Sequence, residues 1–342
     1  MVEHLEYKRR KEGEGELYTR LSVDEGKSEE MLESLLPKLF ILSTIKLQFP
    51  SHNTERGGTR VKFQKAKVVI DGELYTVNVI TGNALRNWLA RLTLREYVAR
   101  NGVSVHKQHF IDMYRISGKL ARECGISDKT PREEAERIVV SGCAICDLFG
   151  FLLKERGLPE VGRKSVIYVS FLIPTRASII RNIRQAITHN ERLTIYAFKS
   201  LIDLGGIGRS QYVKKEGVWL GKELISKDEA QLRLEACLRA YLDLLTHPLG
   251  ASLVRTLPPI KVKTLAVLLT KNLIPAPLHP FYDDYIESLK EIVEFYKDDI
   301  VNVYLLNIDI GTDEKVKTYS NLSNLFKDVI TDAKAILEKL WS

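Results

Sequence analysis

The stretch "LPKLFILSTIKLQFP", residues 36–50, carries the first strand of the fold. Leu39, Ile41, Ile45, Leu47 and Phe49 stand on alternate positions and Pro50 ends the run, the pattern of a buried strand. A basic loop, 51–67, leads to "KVVIDGELYTVNVI" (67–80), two short strands turned at Asp71-Gly72. In "TGNALRNWLARLTLREYVAR" (81–100), Leu85, Trp88, Leu89 and Leu92 recur at helical spacing, while Arg86, Arg91 and Arg95 fall off that face. Strand character returns in "SVIYVSFLI" (165–173) and "RLTIYAFKSLI" (192–202). A helix that turns Leu234, Cys237, Leu238, Tyr241 and Leu245 inward precedes the strand "IKVKTLAVLLT" (260–270), which makes Cys237 a core residue. Strand, helix, two strands, helix, strand is the order of a ferredoxin-like core, an α+β fold.

Other segments decorate this core. Residues 1–35 are polar and Glu/Lys-rich and read as an N-terminal arm. The core begins in 36–100, is interrupted by a polar, partly helical insertion at 101–160, and resumes in 161–275 with an arginine-rich finger at 175–191. Residues 276–342 form an extension: an acidic helix (281–297), a strand "VNVYLLNI", and a closing helix with Leu322, Leu325, Phe326, Val329 and Ile330 inward.

With 342 residues, 44% hydrophobic and 28% charged, the chain reads as a soluble globular protein that needs no disulfide framework. "MVEHLEYKRRKEGEGE" lacks the apolar stretch of a signal peptide, and no run reaches the roughly 18 apolar residues of a membrane span. A cytoplasmic protein is expected. In that compartment four cysteines at unequal spacing read as metal ligands, redox groups or core residues.

The net charge is +7, which favours a polyanionic partner. Between Val161 and Asn190 lie Arg163, Lys164, Arg176, Arg181 and Arg184 with no carboxylate. The loop "HNTERGGTRVKFQKAK" (52–67) adds Arg56, Arg60, Lys62, Lys65 and Lys67 against Glu55 alone. A single basic run is as readily a solvated face. Two runs lacking counter-charges point to nucleic acid, because phosphates neutralise what is otherwise a costly local potential. Thr81, Gly82 and Asn83 break a strand into a helix and leave backbone N–H groups outward, where phosphates tend to sit.

"VSGCAICDLFG" (140–150) places Cys143 and Cys146 in a C-x2-C turn. Cys124 lies upstream, and "HKQH" supplies His106 and His109, so a Cys3His zinc set assembles from Cys124, Cys143, Cys146 and one histidine, His109 preferred over His106. The metal would be structural, because such a set closes the coordination sphere, and it would fix an insertion poor in apolar residues. A thioredoxin-type redox pair and two buried, metal-free cysteines are the competing readings.

Enzymatic motifs are sparse. "GGIGRSQY" (205–212) lacks the lysine and hydroxyl of a P-loop and does not match a dinucleotide fingerprint. His52 in the basic loop is a candidate base for an RNase-like site, against the plainer reading of a solvated loop histidine.

The order of these motifs, a first strand ending in a basic loop, "ITGNALRNWLARL", "CAICDLFG", strands flanking an arginine-rich finger, and "LGGIGRSQ", resembles the RAMP-type backbone subunit of CRISPR effector complexes, with the type I-D branch the closest match. The likeness covers roughly residues 38–275. It implies a modified RRM core with inserted domains, one of them zinc-stabilised, and many copies stacked along a CRISPR RNA beside other effector subunits, with target nucleic acid reached through the guide. RNA contacts are then implied at Gly82, Asn83 and Arg86, at finger residues Arg176, Arg181 and Arg184, and at Gly205, Gly206, Gly208 and Arg209. "PSHNTERGGTR" has no aspartate of the kind with which target-cutting relatives act, so a non-catalytic subunit is expected. The aromatic signature of ordinary RRMs is also missing, which leaves binding to phosphate contacts. A RAMP-type endoribonuclease that processes CRISPR RNA, and a stand-alone zinc-containing nucleic-acid-binding regulator, are the rival functions.

Overall fold

The computed structural model describes residues 7–12, 15–20, 37–48, 55–56, 59–60, 64–110, 116–184, 193–212, 221–246, 260–311 and 313–341. The opening stretch forms β1 (Lys38–Gln48), and Asp71 and Gly72, both at positive φ, turn the hairpin β2 (Lys65–Ile70) to β3 (Glu73–Asn78). Helix α1 (Gly82–Ala99) follows. The insertion supplies α2 (Gly118–Glu123), α3 (Arg132–Gly142), α4 (Ala144–Phe149) and a hairpin of β4 (Phe151–Leu153) with β5 (Val161–Arg163). Then come β6 (Ile167–Val169), β7 (Ile173–Pro174), α5 (Arg176–Arg184) and β8 (Leu193–Asp203). Helix α6 (Lys227–Thr246), β9 (Ile260–Thr270), α7 (Tyr285–Phe295), β10 (Ile300–Leu306), β11 (Val316–Tyr319) and α8 (Leu322–Leu340) complete the order.

The main sheet runs β6-β8-β1-β9-β10-β11, with β7 also paired to β8. Neighbours from β6 to β10 are antiparallel, and β11 joins β10 in parallel. The four strands β6, β8, β1 and β9 have the spatial order and antiparallel pairing of the expected ferredoxin-like core. Strand β1 is central and buried on both faces: Leu39 and Ile41 enter the large core with α1, α6 and α8, while Phe40 points to the smaller core under α7. The inward residues expected on α6 are all buried, Cys237 included, and Leu325, Phe326 and Val329 of α8 are buried likewise.

Two features depart from the sequence reading. In the stretch expected as an N-terminal arm, Tyr7–Glu12 and Gly15–Arg20 pair as an antiparallel ribbon. The insertion is also not poor in core: Ile116, Ala121, Ile126, Val139, Val140, Leu148, Phe149 and Leu153 are buried in the same cluster as the sheet and its helices. Its hydrophobic residues lie on several short elements, so no single periodic face announces them. Among the described residues no helix is long and apolar enough to cross a membrane.

Candidate metal centre and nucleic-acid interface

Cys143 is extended between α3 and α4 and caps the latter, its Sγ accepting from the Cys146 N–H at 3.5 Å. The C-x2-C spacing therefore brings two sulfurs to one helix start. Opposite them, a 3-10 turn, Lys107–Phe110, and its lead-in present His109 and His106. His109 Nε2 lies 3.1 Å from Cys146 Sγ, and His106 Nδ1 lies 3.7 Å from the same sulfur. Ligand atoms of His106, His109, Cys143 and Cys146 all fall within 4.8 Å of one another, and all four residues are buried. A Cβ on Gly142 would stand 3.3 Å from His106 Nε2, so the glycine gives the imidazole room.

Cys124, expected among the ligands, is outside this set. Its Sγ is 3.9 Å from His106 Nε2, on the far side of the ring from Cys146, and it is only partly buried. Burial and the neighbouring Glu123 raise its thiol. Both histidines, not one, face the cysteine pair. Burial works against charge on Cys143, but hydrogen bonds from Cys146, His106 and His109 hold its thiol well below the usual range. Burial and the Cys143 charge push Cys146 up. Neither sulfur is engaged in a disulfide.

Directly after Cys146, Asp147 turns into a buried ionic cluster that sequence reasoning missed. Arg163 donates to Glu136 Oε1 (2.7 Å), Asp147 Oδ1 (2.6 Å), and the carbonyls of Asp147, Gly206 and Arg209 (3.2, 2.8 and 2.7 Å). Arg233 donates to Asp147 Oδ2 (3.0 Å) and Glu229 Oε1 (2.7 Å). Side chains of Arg163, Arg233, Glu136 and Asp147 are all 0% exposed. Arg163 therefore does not belong to a surface basic run; its counter-charges come from residues 16 and 27 positions away.

The other expected RNA contacts fall into three groups. Thr81 Oγ1 caps α1 at the Ala84 N–H (3.2 Å), with Asn83 exposed and Arg86 half-buried on its first turn. Gly82 is required by packing: a Cβ there would stand 2.2 Å from the Val169 carbonyl oxygen. On α5, Arg181 is exposed, but Arg176 is clamped by Asp71 (2.9 Å) and Asp283. The glycine turn is buried throughout Leu204–Ser210; Arg209 lies over the Trp341 ring at 4.6 Å and donates to the Leu340 carbonyl. Lys62 and His52 lie outside the described residues, as do the side chains of Arg56, Arg60 and Arg184.

A serine–histidine contact resembles a catalytic pair but is wired the other way. His279 Nδ1 accepts from the Phe281 N–H (3.0 Å), which leaves Nε2 as donor to Ser170 Oγ (2.9 Å). Ser170 Oγ in turn donates to the Phe171 carbonyl (3.1 Å), so the imidazole does not draw its proton. Burial, with the Lys199 ammonium beside it, lowers the imidazole from 6.5 to about 4. The unfolded chain binds this proton near pH 6.5 and the folded chain only near pH 4, so the stability from His279 is complete above pH 6.5 and falls as pH drops toward 4. Urea midpoints between pH 7 and pH 5 are expected to fall more steeply for the parent than for His279→Gln; parallel curves would contradict the assignment.

The family model described as CRISPR-associated negative auto-regulator DevR/Csa2 matches residues 51–192 and 184–290. A CRISPR-associated protein Cas7/Cst2/DevR of Methanocaldococcus jannaschii is 26% identical over 293 residues, which is 75% of this chain and 88% of the relative. One of the same description from Thermoproteus tenax is 25% identical over 262 residues, 68% of this chain and 74% of the relative. Among solved structures, a chain of a CRISPR RNA-guided surveillance complex, pre-nicking, aligns with a TM-score of 0.46 and 11% identity, covering 86% of this chain and all of that one.

Proposed function

The chain belongs to the CRISPR-associated DevR/Csa2 family, and from that premise we propose that it is a non-catalytic, RNA-binding backbone subunit of a CRISPR effector complex. In this reading several copies coat one CRISPR RNA through its phosphates, other effector subunits flank them, and the guide pairs with target nucleic acid. The family match over residues 51–192 and 184–290 carries the reading. Net charge of +7 and the basic residues of the 51–67 loop support it. Asn83, Arg86 and Arg181 are the described candidates for backbone contact, and Arg56, Arg60, Lys62 and Arg184 are candidates from the sequence. Gly206 and Arg209 reach RNA only if the buried turn opens. The domain scheme belongs to the same proposal: arm 1–35, core 36–100 and 161–275, insertion 101–160, extension 276–342.

The second part of the reading is a structural zinc ion. Two cysteine sulfurs, deprotonated on binding, and two imidazoles are the donor set of a closed zinc site, and separations of 3.1 and 3.7 Å are close to the tetrahedral edges of about 3.3–3.8 Å expected from zinc bond lengths. His106, His109, Cys143 and Cys146 would hold the ion. Bound there, it would cross-link the histidine turn to the start of α4.

Binding tests separate the functions. A backbone subunit should load single-stranded RNA in proportion to RNA length, whereas the auto-regulator named in the family description favours a protein that saturates at one site. Log affinity should fall with log salt by about 0.7 per phosphate contact, and Arg181→Ala with Arg184→Ala should flatten that slope. An unchanged slope removes the finger from the surface. Specific cleavage of repeat RNA, abolished by His52→Ala, would replace the proposal with a processing nuclease.

A further inference from the structure

We propose that Asp147 is a positioning residue that ties metal occupancy at the histidine–cysteine centre to the geometry of the glycine turn Leu204–Ser210. The inference rests on the zinc reading above. Helix α4 is six residues long. Cys143 caps it, Cys146 lies in its first turn, and the Asp147 N–H donates to the Cys143 carbonyl at 3.1 Å. A metal gripping Cys143 and Cys146 would fix this turn at both ends. The next side chain, Asp147, leaves the turn in the other direction and accepts the Gly208 N–H on both carboxylate oxygens at 3.0 Å.

Asp147 has little freedom to absorb a shift of α4. Its oxygens also accept from Arg163 and Arg233, and Arg163 holds the Gly206 and Arg209 carbonyls of the same turn. Gly208 is at φ +66°, and a Cβ there would stand 2.4 Å from Ile225 Cδ1, so the turn is packed as well as bonded. From it contacts run outward to the start of β1, where Leu204 N donates to the Pro37 carbonyl (3.1 Å), and toward α6, where Leu224 N donates to the Gly208 carbonyl (2.8 Å). One side chain thus separates a sulfur donor from a junction of the core. Buried, bonded groups of this kind move together or not at all.

The test uses the full chain. Hydrogen exchange would be read at the Gly208 and Leu224 amides, with the Val303 amide of β10 as reference, in zinc-loaded and chelator-treated protein whose metal content is measured. Chelation is expected to speed exchange at Gly208 and Leu224 by about tenfold or more and to leave Val303 within about twofold. Asp147→Asn, which keeps the shape but not the charge, should show fast Gly208 exchange with zinc bound and little further change on chelation. If this variant does not fold, the parent protein alone decides. Stoichiometric zinc whose removal leaves both amides unchanged overturns the coupling while the metal centre stands. Absence of bound zinc after loading overturns the metal centre, and the coupling falls with it.

Discussion

Replacing Arg163 with methionine should destabilise the protein by about 3–5 kcal/mol, because breaking one side of a buried ion pair leaves the other charge uncompensated. Glu136 and Asp147 would each lose a guanidinium inside the core, and three backbone carbonyls would lose their donor. At roughly 2–4 °C per kcal/mol, the melting temperature should fall by on the order of 10 °C. Arg163→Lys should recover only part of the loss, since an ammonium has three donors where five acceptors wait in a plane-and-fork arrangement. Arg181→Ala, on the exposed face of α5, should stay within about 0.5 kcal/mol of the parent. If Arg163→Met melts within about 2 °C of the parent, the cluster is not what holds the glycine turn.

Removing one sulfur should have an effect of similar size. Cys143→Ser is expected to abolish stoichiometric zinc and to lower the melting temperature by on the order of 10 °C, the same drop that chelation produces in the parent. The mutant should then be blind to chelator. The loss is smaller than in isolated zinc-dependent peptides because the insertion is anchored to the main core by residues such as Val139, Leu148 and Phe149. Cys124→Ser is the discriminating control. Its sulfur faces His106 from outside the four-residue set, so that variant should retain about one zinc per chain. Loss of metal in Cys124→Ser, with metal kept in His106→Ala, would restore the three-cysteine set.

Long periodic elements were the legible part of the fold. Leu39 and Ile41 of β1, all five expected residues of α6, and Leu325, Phe326 and Val329 of α8 are buried as the sequence pattern indicates, because one continuous face per element leaves a repeating mark. The C-x2-C pair was legible for a related reason: ligand spacing within one turn is a local property. Which other side chains come to face it was not, since His106, His109 and Cys124 are all near in sequence and only the tertiary path chooses among them.

Charge was the least legible feature. Between Val161 and Asn190 no carboxylate appears, yet Arg163 is neutralised by Glu136 and Asp147, and Arg176 by Asp71 and Asp283. A count along the chain cannot register partners that arrive from 105 and 107 residues away. Gly82 teaches a similar lesson. It reads as a place where phosphate approaches, and the structure gives it a second duty, to let the Val169 carbonyl come close.

The main sheet ends in β6, three residues long and shared with two-residue β7, on one margin and in four-residue β11 on the other. Such brief margins expose few unpaired amides and carbonyls, and a neighbouring molecule finds little there to knit onto. Successive copies arrayed along a polynucleotide would accordingly be spaced by the strand they grip and by side-chain contacts. Fusion of their sheets into one continuous ribbon is disfavoured by the architecture itself.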